Sequence, residues 1–487
     1  MEYLHLSIEQ LHSLLVNKDI TPLDLVREAL AKAKADNNNA FEYIMESEAL
    51  EFASTLVEPE QNNPLWGIPF AIKDNFSTKD VPSTGSSDSL KDYVPVFNSE
   101  VYQRLINAKA ICIGKTTLDE LAMGGSGTTG HLGTTFNPWD PTHTRHVGGS
   151  SCGSAAVTSA AIVPFAIGSD TGDSVRKPAS YAGLVGLKPS WGRISRFGLF
   201  PFATSMDHVA YFTRNVNDSA IILSFLAGRD NKDASSSFEK VDDYSSNIDN
   251  GIKGKKIAVI KELVEFTKDN DIKQRFEETL QYFVKEGAEV EYVSMDKKLL
   301  HAIYPTYIVI SCAEATSNNS CIDGVKYGPR ESGDTYQEIM INSRTKGFSE
   351  LIRRRFVIGS VSLLKTNQKE LFVKAQKSRR MIVDAYNKIL EKYDAVYVPA
   401  SPTIAPKFGE VVGDKTDGDF LAIDNHLGIA NFAGLPSITL PIGFKENMPF
   451  GANLTCKPFE EAKLLNIAKN LEKNTGFANI FAKKEEK

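Results

Sequence analysis

GGSSCGSAAVTSAAIVPFAIGSDTGDSVRKP, residues 148–178, is the stretch that decides how this chain folds. It is rich in glycine and serine, yet an alanine-rich apolar segment able to pack lies between its two glycine turns, Gly148-Gly149-Ser150-Ser151 and Gly172-Asp173-Ser174. Turns of this kind bring backbone N–H groups and hydroxyls close to a bound ligand. AAVTSAA followed by IVPFAIG predicts a short helix and then a strand. Such a pair doubles back and returns the second turn to the first, although Ser150 and Ser174 stand 24 positions apart (174 − 150).

Outward from this stretch, helical and strand signals alternate. Thr21-Pro22 predicts an N-cap and first helical residue for DLVREALAKAKA, and Ser99 caps EVYQRLINAKA ahead of the apolar run at 111–113. IAVI at 257–260 precedes a helix with Ile272, Phe276, Leu280 and Phe283 on one face, stopped near Gly287 and followed by a strand at 290–293. A long helical pattern at 367–392 precedes AVYVPA. Strand–helix alternation predicts an α/β layered fold. The polar segment 229–255 is either a domain boundary or a surface excursion.

Composition narrows the function classes. The chain has 487 residues, enough for one large domain or for several average ones. A net charge of −6 speaks against broad nucleic-acid binding by this chain alone, because neutralising phosphates takes a basic face. Five cysteines, an odd number without a C-x-x-C pair, point to a reducing compartment rather than a disulfide framework. MEYLHLSIEQLHSLL carries early acids and no basic leader, so it predicts an amphipathic helix rather than a signal peptide. The longest nearly apolar run, 155–167, is too short to span a bilayer.

Several short motifs compete for the chemistry. Gly114-Lys115-Thr116 ends like a phosphate-binding loop, but the required earlier glycine falls on Lys109, so a strand-to-helix turn is expected. His143 and His146 have no third ligand nearby and Pro141 disfavours a helix there, so a surface loop is expected rather than a metal site. Gly149-Ser150-Ser151-Cys152-Gly153 matches G-x-S-x-G, which would make Ser151 the nucleophile of an α/β-hydrolase, with His301 or His426 as its later histidine. Cys152 is either a second nucleophile candidate or a small apolar residue opening a helix. Lys73 ends the apolar run of GIPFAIKDNF. A lysine buried there loses charge stabilisation, its pKa falls, and the neutral amine can act as base for Ser150 and Ser174. The alternative is a Lys73–Asp74 ion pair, with both serines bonded to backbone.

GIPFAIKDNF and the block from 148 to 200 resemble the amidase signature family. NPWDPTHTRHVGGSS, SMDHVAYFTRNVNDSA, CAEATSNNSCIDGVKYG, RRRFVIGS and NFAGLPSITLPIG resemble the branch of that family that serves tRNA-dependent amidotransferases as glutaminase subunit. The resemblance covers nearly the whole chain. It implies an α/β amidase signature fold: a single large α/β/α layered domain over 1–487, with a central mixed twisted sheet covered by helices. The signature core would span about 65–215, residues 229–255 would be a surface excursion, and 256–487 would complete the sheet and substrate pocket.

The resemblance also implies a Ser–Ser–Lys triad: Ser174 as nucleophile, Ser150 as bridging serine after a cis peptide bond, and Lys73 as base. The backbone N–H groups of Thr171, Gly172 and Asp173, with that of Ser174, would form the oxyanion hole. Arg355 would bind the carboxylate of glutamine and Asp424 its ammonium, with Tyr307 nearby and no metal. Arg355 is preferred over Arg353 and Arg354 by its place before FVIGS. The implied partners are the two other subunits of a heterotrimeric amidotransferase. One would handle ATP, Mg and Glu-tRNA(Gln), and a small third one would clamp the assembly together, in the cytoplasm and away from membranes. A freestanding hydrolase of small or acyl amides is the alternative, for which a clamp for a zwitterion has no use. One position departs from the family pattern: Asp173 stands where a glycine is usual, and its side chain is expected to point away and leave the N–H available. Cys152 replaces another common glycine, a milder change.

Overall fold

The helix and strand expected inside 148–178 are both present in the computed structural model of the chain, which describes residues 2–410, 413 and 416–483. Cys152–Ser159 is a helix and Phe165–Asp170 a strand, and every residue of both is buried or nearly so. The Ser151 N–H donates to the Ser174 carbonyl at 3.2 Å, so the two glycine turns do meet.

Among the described residues eleven strands form one sheet: β1 Phe41–Ile44, β2 Pro69–Lys73, β3 Ile111–Thr116, β4 Phe165–Asp170, β5 Val185–Lys188, β6 His208–Thr213, β7 Lys256–Ile260, β8 Glu289–Val293, β9 Ala395–Pro399, β10 Ser437–Lys445 and β11 Met448–Thr455. Their order across the sheet is β1-β3-β2-β4-β6-β5-β10-β11-β9-β7-β8. β3, β2 and β4 run parallel, as do β9, β7 and β8, while the middle of the sheet is antiparallel. The sheet is therefore mixed, flanked by helices, and of the α/β class. β2 and β4 are fully buried, which matches their near-continuous apolar runs and their place in a parallel part of the sheet covered on both faces.

Most of the elements expected from the sequence stand close to where the pattern puts them. Pro22–Lys34 is a helix capped by Thr21, whose hydroxyl accepts from the Asp24 N–H. Asn270–Lys285 buries Ile272, Phe276, Leu280 and Phe283. Ser99 does occupy an N-cap position, but its buried hydroxyl makes no capping bond. Residues 229–255 carry no helix or strand. They are nevertheless tied down: Arg193 Nη1 donates to the carbonyls of Glu239 and Lys240 at 3.1 and 3.0 Å, and Tyr244 is buried.

Candidate active site

Lys73 is the last residue of β2, and its strand neighbours carry it into the interior with no accessible surface. Its Nζ lies 2.9 Å from the hydroxyls of Ser150, Ser151 and Ser169. No carboxylate is paired with it among the described residues. Burial pushes the Lys73 pKa down to about 7, and more distant acidic groups, Cys152 and Asp119 foremost, recover only part of the loss. The Lys73–Asp74 ion pair left open by the sequence does not form. Asp74 instead lies 3.0 Å from Lys115, itself buried at the end of β3. The lysine of Gly114-Lys115-Thr116 is thus a structural counter-charge.

The Gly149–Ser150 peptide bond is cis. The turn is held by Asp119, whose N–H donates to the Ser150 carbonyl at 3.1 Å. The buried Asp119 carboxylate accepts from the N–H groups of Ser126, Gly127, Thr128 and Thr129, and from the Thr129 hydroxyl at 2.8 Å. This crowding explains Gly149: a Cβ there would lie 2.1 Å from Asp119 Oδ2.

The second turn is fixed by a buried ion pair. Asp170, the last residue of β4, faces Arg176 at 2.8 Å, and neither side chain is exposed. Burial opposes the Asp170 charge, but Arg176 outweighs it and holds the carboxyl well below the usual range. Asp170 Oδ2 also accepts from the Val175 N–H, and Arg176 donates to the Gly172 carbonyl at 2.8 Å and to Asn431 Oδ1 at 2.6 Å. Thr171 Oγ1 donates to Asp207 at 2.7 Å. Among the described residues, no protein acceptor takes up the N–H groups of Thr171, Gly172, Asp173 or Ser174.

Asp173 does not need a left-handed backbone. Its carboxylate lies 2.8 Å from Lys177, one helical turn on, and no hydrogen bond joins it to Ser174 among the described residues. Ser174 is buried, and no hydrogen bond joins its hydroxyl to Ser150 among the described residues.

The residues expected to grip the substrate come from later helices. Tyr307, on Ile303–Asn318, approaches the turn so closely that a Cβ on Gly172 would come within 3.0 Å of its ring. Burial raises the pKa of its phenol, so it stays protonated. Arg355 lies on Glu350–Leu363. Among the described residues its Nε and Nη1 are buried without a partner, and its guanidinium stands 5.7 Å from the Phe202 ring centre. Arg353 and Arg354 are exposed, and Arg354 pairs with Glu350 on its own helix. Asp424, near the end of Gly418–Asn425, is engaged: its Oδ1 lies 3.1 Å from Lys177 Nζ.

Ser151 does not have the surroundings of a hydrolase nucleophile. Its hydroxyl donates to the Ser169 carbonyl at 3.1 Å and accepts from Lys73, and no histidine bonds to it among the described residues. His426 is buried elsewhere beside the Ile423 carbonyl, and His301 faces Asp419. Sequence reasoning did not find Ser169, Asn75, Asp119, Asp170, Arg176 or Lys177. Only the Asp173–Lys177 spacing of four, beside the second glycine turn, carries a signal in the sequence.

Known proteins resemble this chain in sequence and in fold. A model of the amidase family matches residues 24–465. The A subunit of glutamyl-tRNA(Gln) amidotransferase from Pediococcus pentosaceus is 38% identical over 98% of this chain and 98% of its own length. The protein of that name from Thermotoga maritima is 42% identical over 86% of this chain and 87% of its own. A crystal structure of the Thermotoga maritima A subunit superposes with a TM-score of 0.80, covering 97% of this chain and 96% of that one. A bacterial aryl acylamidase shares the fold at 22% identity, with a TM-score of 0.84 over 99% of both chains. With a family match across this span and relatives of this identity along nearly their whole length, the chain belongs to the amidase family.

Proposed function

We propose that this chain is the glutaminase subunit of a tRNA-dependent amidotransferase, hydrolysing glutamine and passing on the ammonia. The observation that carries the reading is the surroundings of Lys73: a lysine without a carboxylate partner, buried and held by three serine hydroxyls. With a pKa near 7 much of it is the neutral amine, which has two N–H donors and one lone pair. Ser151 gives its proton to the Ser169 carbonyl, so towards Lys73 it can only accept. Ser169 accepts from Asn75 as well as from Lys73. Ser150 Oγ has no partner other than Lys73 among the described residues, which leaves its proton free to pass into the lysine lone pair. This distribution of donors and acceptors supports Ser150 as the relay.

In the reaction, Ser174 Oγ attacks the side-chain amide carbon of glutamine. Its proton passes to Ser150 as the Ser150 proton passes to Lys73. The free N–H groups of Thr171, Gly172, Asp173 and Ser174 receive the oxyanion, and losing one such donor costs about 3–4 kcal/mol. The C–N bond then breaks, the relay reverses, and the returned proton leaves with ammonia. Water, activated by the same relay, cleaves the glutamyl ester to glutamate. The Ser174–Ser150 hydrogen bond forms when substrate binds, as catalytic contacts often tighten only then.

Arg355 offers Nε and Nη1, unpaired among the described residues, for the substrate carboxylate, a demand that glutamine makes and a simple apolar amide does not. Asp424 serves the ammonium and Tyr307 packs against the turn. The chain acts as one domain, in the cytoplasm, within a heterotrimer completed by two further amidotransferase subunits. ATP, Mg and Glu-tRNA(Gln) belong to the larger of these partners, and this chain takes no cofactor. The test is purification with its native partners, followed by a transamidation assay on mischarged Glu-tRNA(Gln). Gln-tRNA(Gln) should form from glutamine in the wild-type complex and only from added ammonia with Ser174→Ala. Unaltered glutamine use by the variant contradicts the proposal.

A further inference from the structure

Asp173 places a carboxylate one residue before the proposed nucleophile, where negative charge opposes an oxyanion. Lys177 deals with it. Its Nζ lies 2.8 Å from Asp173 Oδ2 and 3.1 Å from Asp424 Oδ1, and it also donates to the Asp424 carbonyl at 2.5 Å. The Lys177 N–H bonds to the Asp173 carbonyl at 2.9 Å, fixing the one-turn separation. The lysine side chain is 10% exposed and that of Asp173 18%, so water screens the pair weakly. One ammonium thus faces two carboxylates, and the cluster is one positive charge short. Burial alone would lower the Lys177 pKa, but Asp173 and Asp424 outweigh it and keep the lysine charged.

We propose that Lys177 is a positioning residue that determines specificity, by bridging the oxyanion turn at Asp173 to the ammonium subsite at Asp424, so that the α-ammonium of the substrate completes the charge balance. The inference rests on the glutaminase reading above. In the free enzyme Lys177 is shared between the two acids. An α-ammonium bound to Asp424 takes over that carboxylate and leaves Lys177 to Asp173. The Asp173 charge is then most fully neutralised when a substrate of the right class is seated. An amide without an α-ammonium leaves Lys177 divided, and suffers in kcat as well as in KM.

A mutant cycle on the intact complex, with glutamine as substrate, tests this. Lys177→Gln exposes the oxyanion to an uncompensated Asp173, so kcat should fall about tenfold or more. Asp173→Gly frees Lys177 to hold Asp424 against the substrate, so the main effect should be a KM about threefold or more higher. The double variant removes both faults and should recover most of kcat, and Lys177→Arg should keep most of it as a control for folding. A merely structural lysine would not give this split, nor be rescued by a second substitution. Additive losses in the double variant, or an unchanged kcat in Lys177→Gln, overturn the inference while the glutaminase reading stands. A wild-type complex that hydrolyses butyramide faster than glutamine overturns both.

Discussion

At the scale of single residues, the site depends on what has been kept away from Lys73. Asp74 is its neighbour in sequence, yet Lys115 neutralises that carboxylate and leaves Lys73 among hydroxyls. Had Asp74 paired with Lys73, the amine would have stayed protonated and useless as a base. The sign of the pH dependence follows. Below about 7 Lys73 carries its proton, and above it the neutral amine dominates, so kcat/KM for glutamine should rise with pH through a midpoint near 7. A pH–rate profile of the complex checks this, and a midpoint in the carboxylate range, about 4, would point to a different base. Lys73→Arg keeps a cation that does not deprotonate and should leave a rate about a hundredfold lower or less.

At the scale of elements, two close approaches carry the geometry, each with a glycine at the contact. Gly149 leaves room for Asp119, the acceptor of four backbone N–H groups in the neighbouring loop. Asp119→Ala leaves those donors unsatisfied in a buried place and should cost about 3 kcal/mol of stability, read from denaturant unfolding. Gly359 does the same for two helices: a Cβ there would sit 2.1 Å from the Cys312 carbonyl. Gly359→Ala pushes Glu350–Leu363 off Ile303–Asn318, and Arg355 moves with it. The KM for glutamine should rise about tenfold, the worth of a lost charged hydrogen bond, with a smaller change in kcat. An equal fall in kcat at constant KM would show that the helix contact serves something other than substrate binding.

The same scale shows what the sequence could and could not reveal. The Cys152–Ser159 helix and β4 were legible because small and apolar residues suited to packing dominate both. The antiparallel strands β5, β6, β10 and β11 were not. β10 and β11 are joined by Glu446 and Asn447, both in the left-handed region at φ 52° and 61°. That is the backbone of a tight hairpin, but without the glycine that usually signals one. Within the site, Ser174, Ser150 and Lys73 lie in recognisable motifs. The groups that hold them, Asp119 and the Asp170–Arg176 pair, act through contacts that no spacing encodes.

At the scale of the whole molecule, one sheet carries Lys73 on β2 and the serine turns around β4, while Tyr307 and Arg355, proposed to grip the substrate, come from helices past residue 300. In the proposed mechanism the first group performs amide hydrolysis whatever the amide. The second would select it, and Arg355, whose Nε and Nη1 have no partner among the described residues, is the part proposed to demand a carboxylate. Generic chemistry and selected substrate meet at Ser174, so the covalent intermediate there is the point to probe. An acid-quenched reaction of the complex with glutamine, followed by peptide mass spectrometry of the segment containing residues 150–174, does so. A glutamyl ester is expected on Ser174 in the wild type and in Ser151→Ala, and none in Ser174→Ala. An ester on Ser151, or one that persists when Ser174 is removed, would rule out Ser174 as the nucleophile.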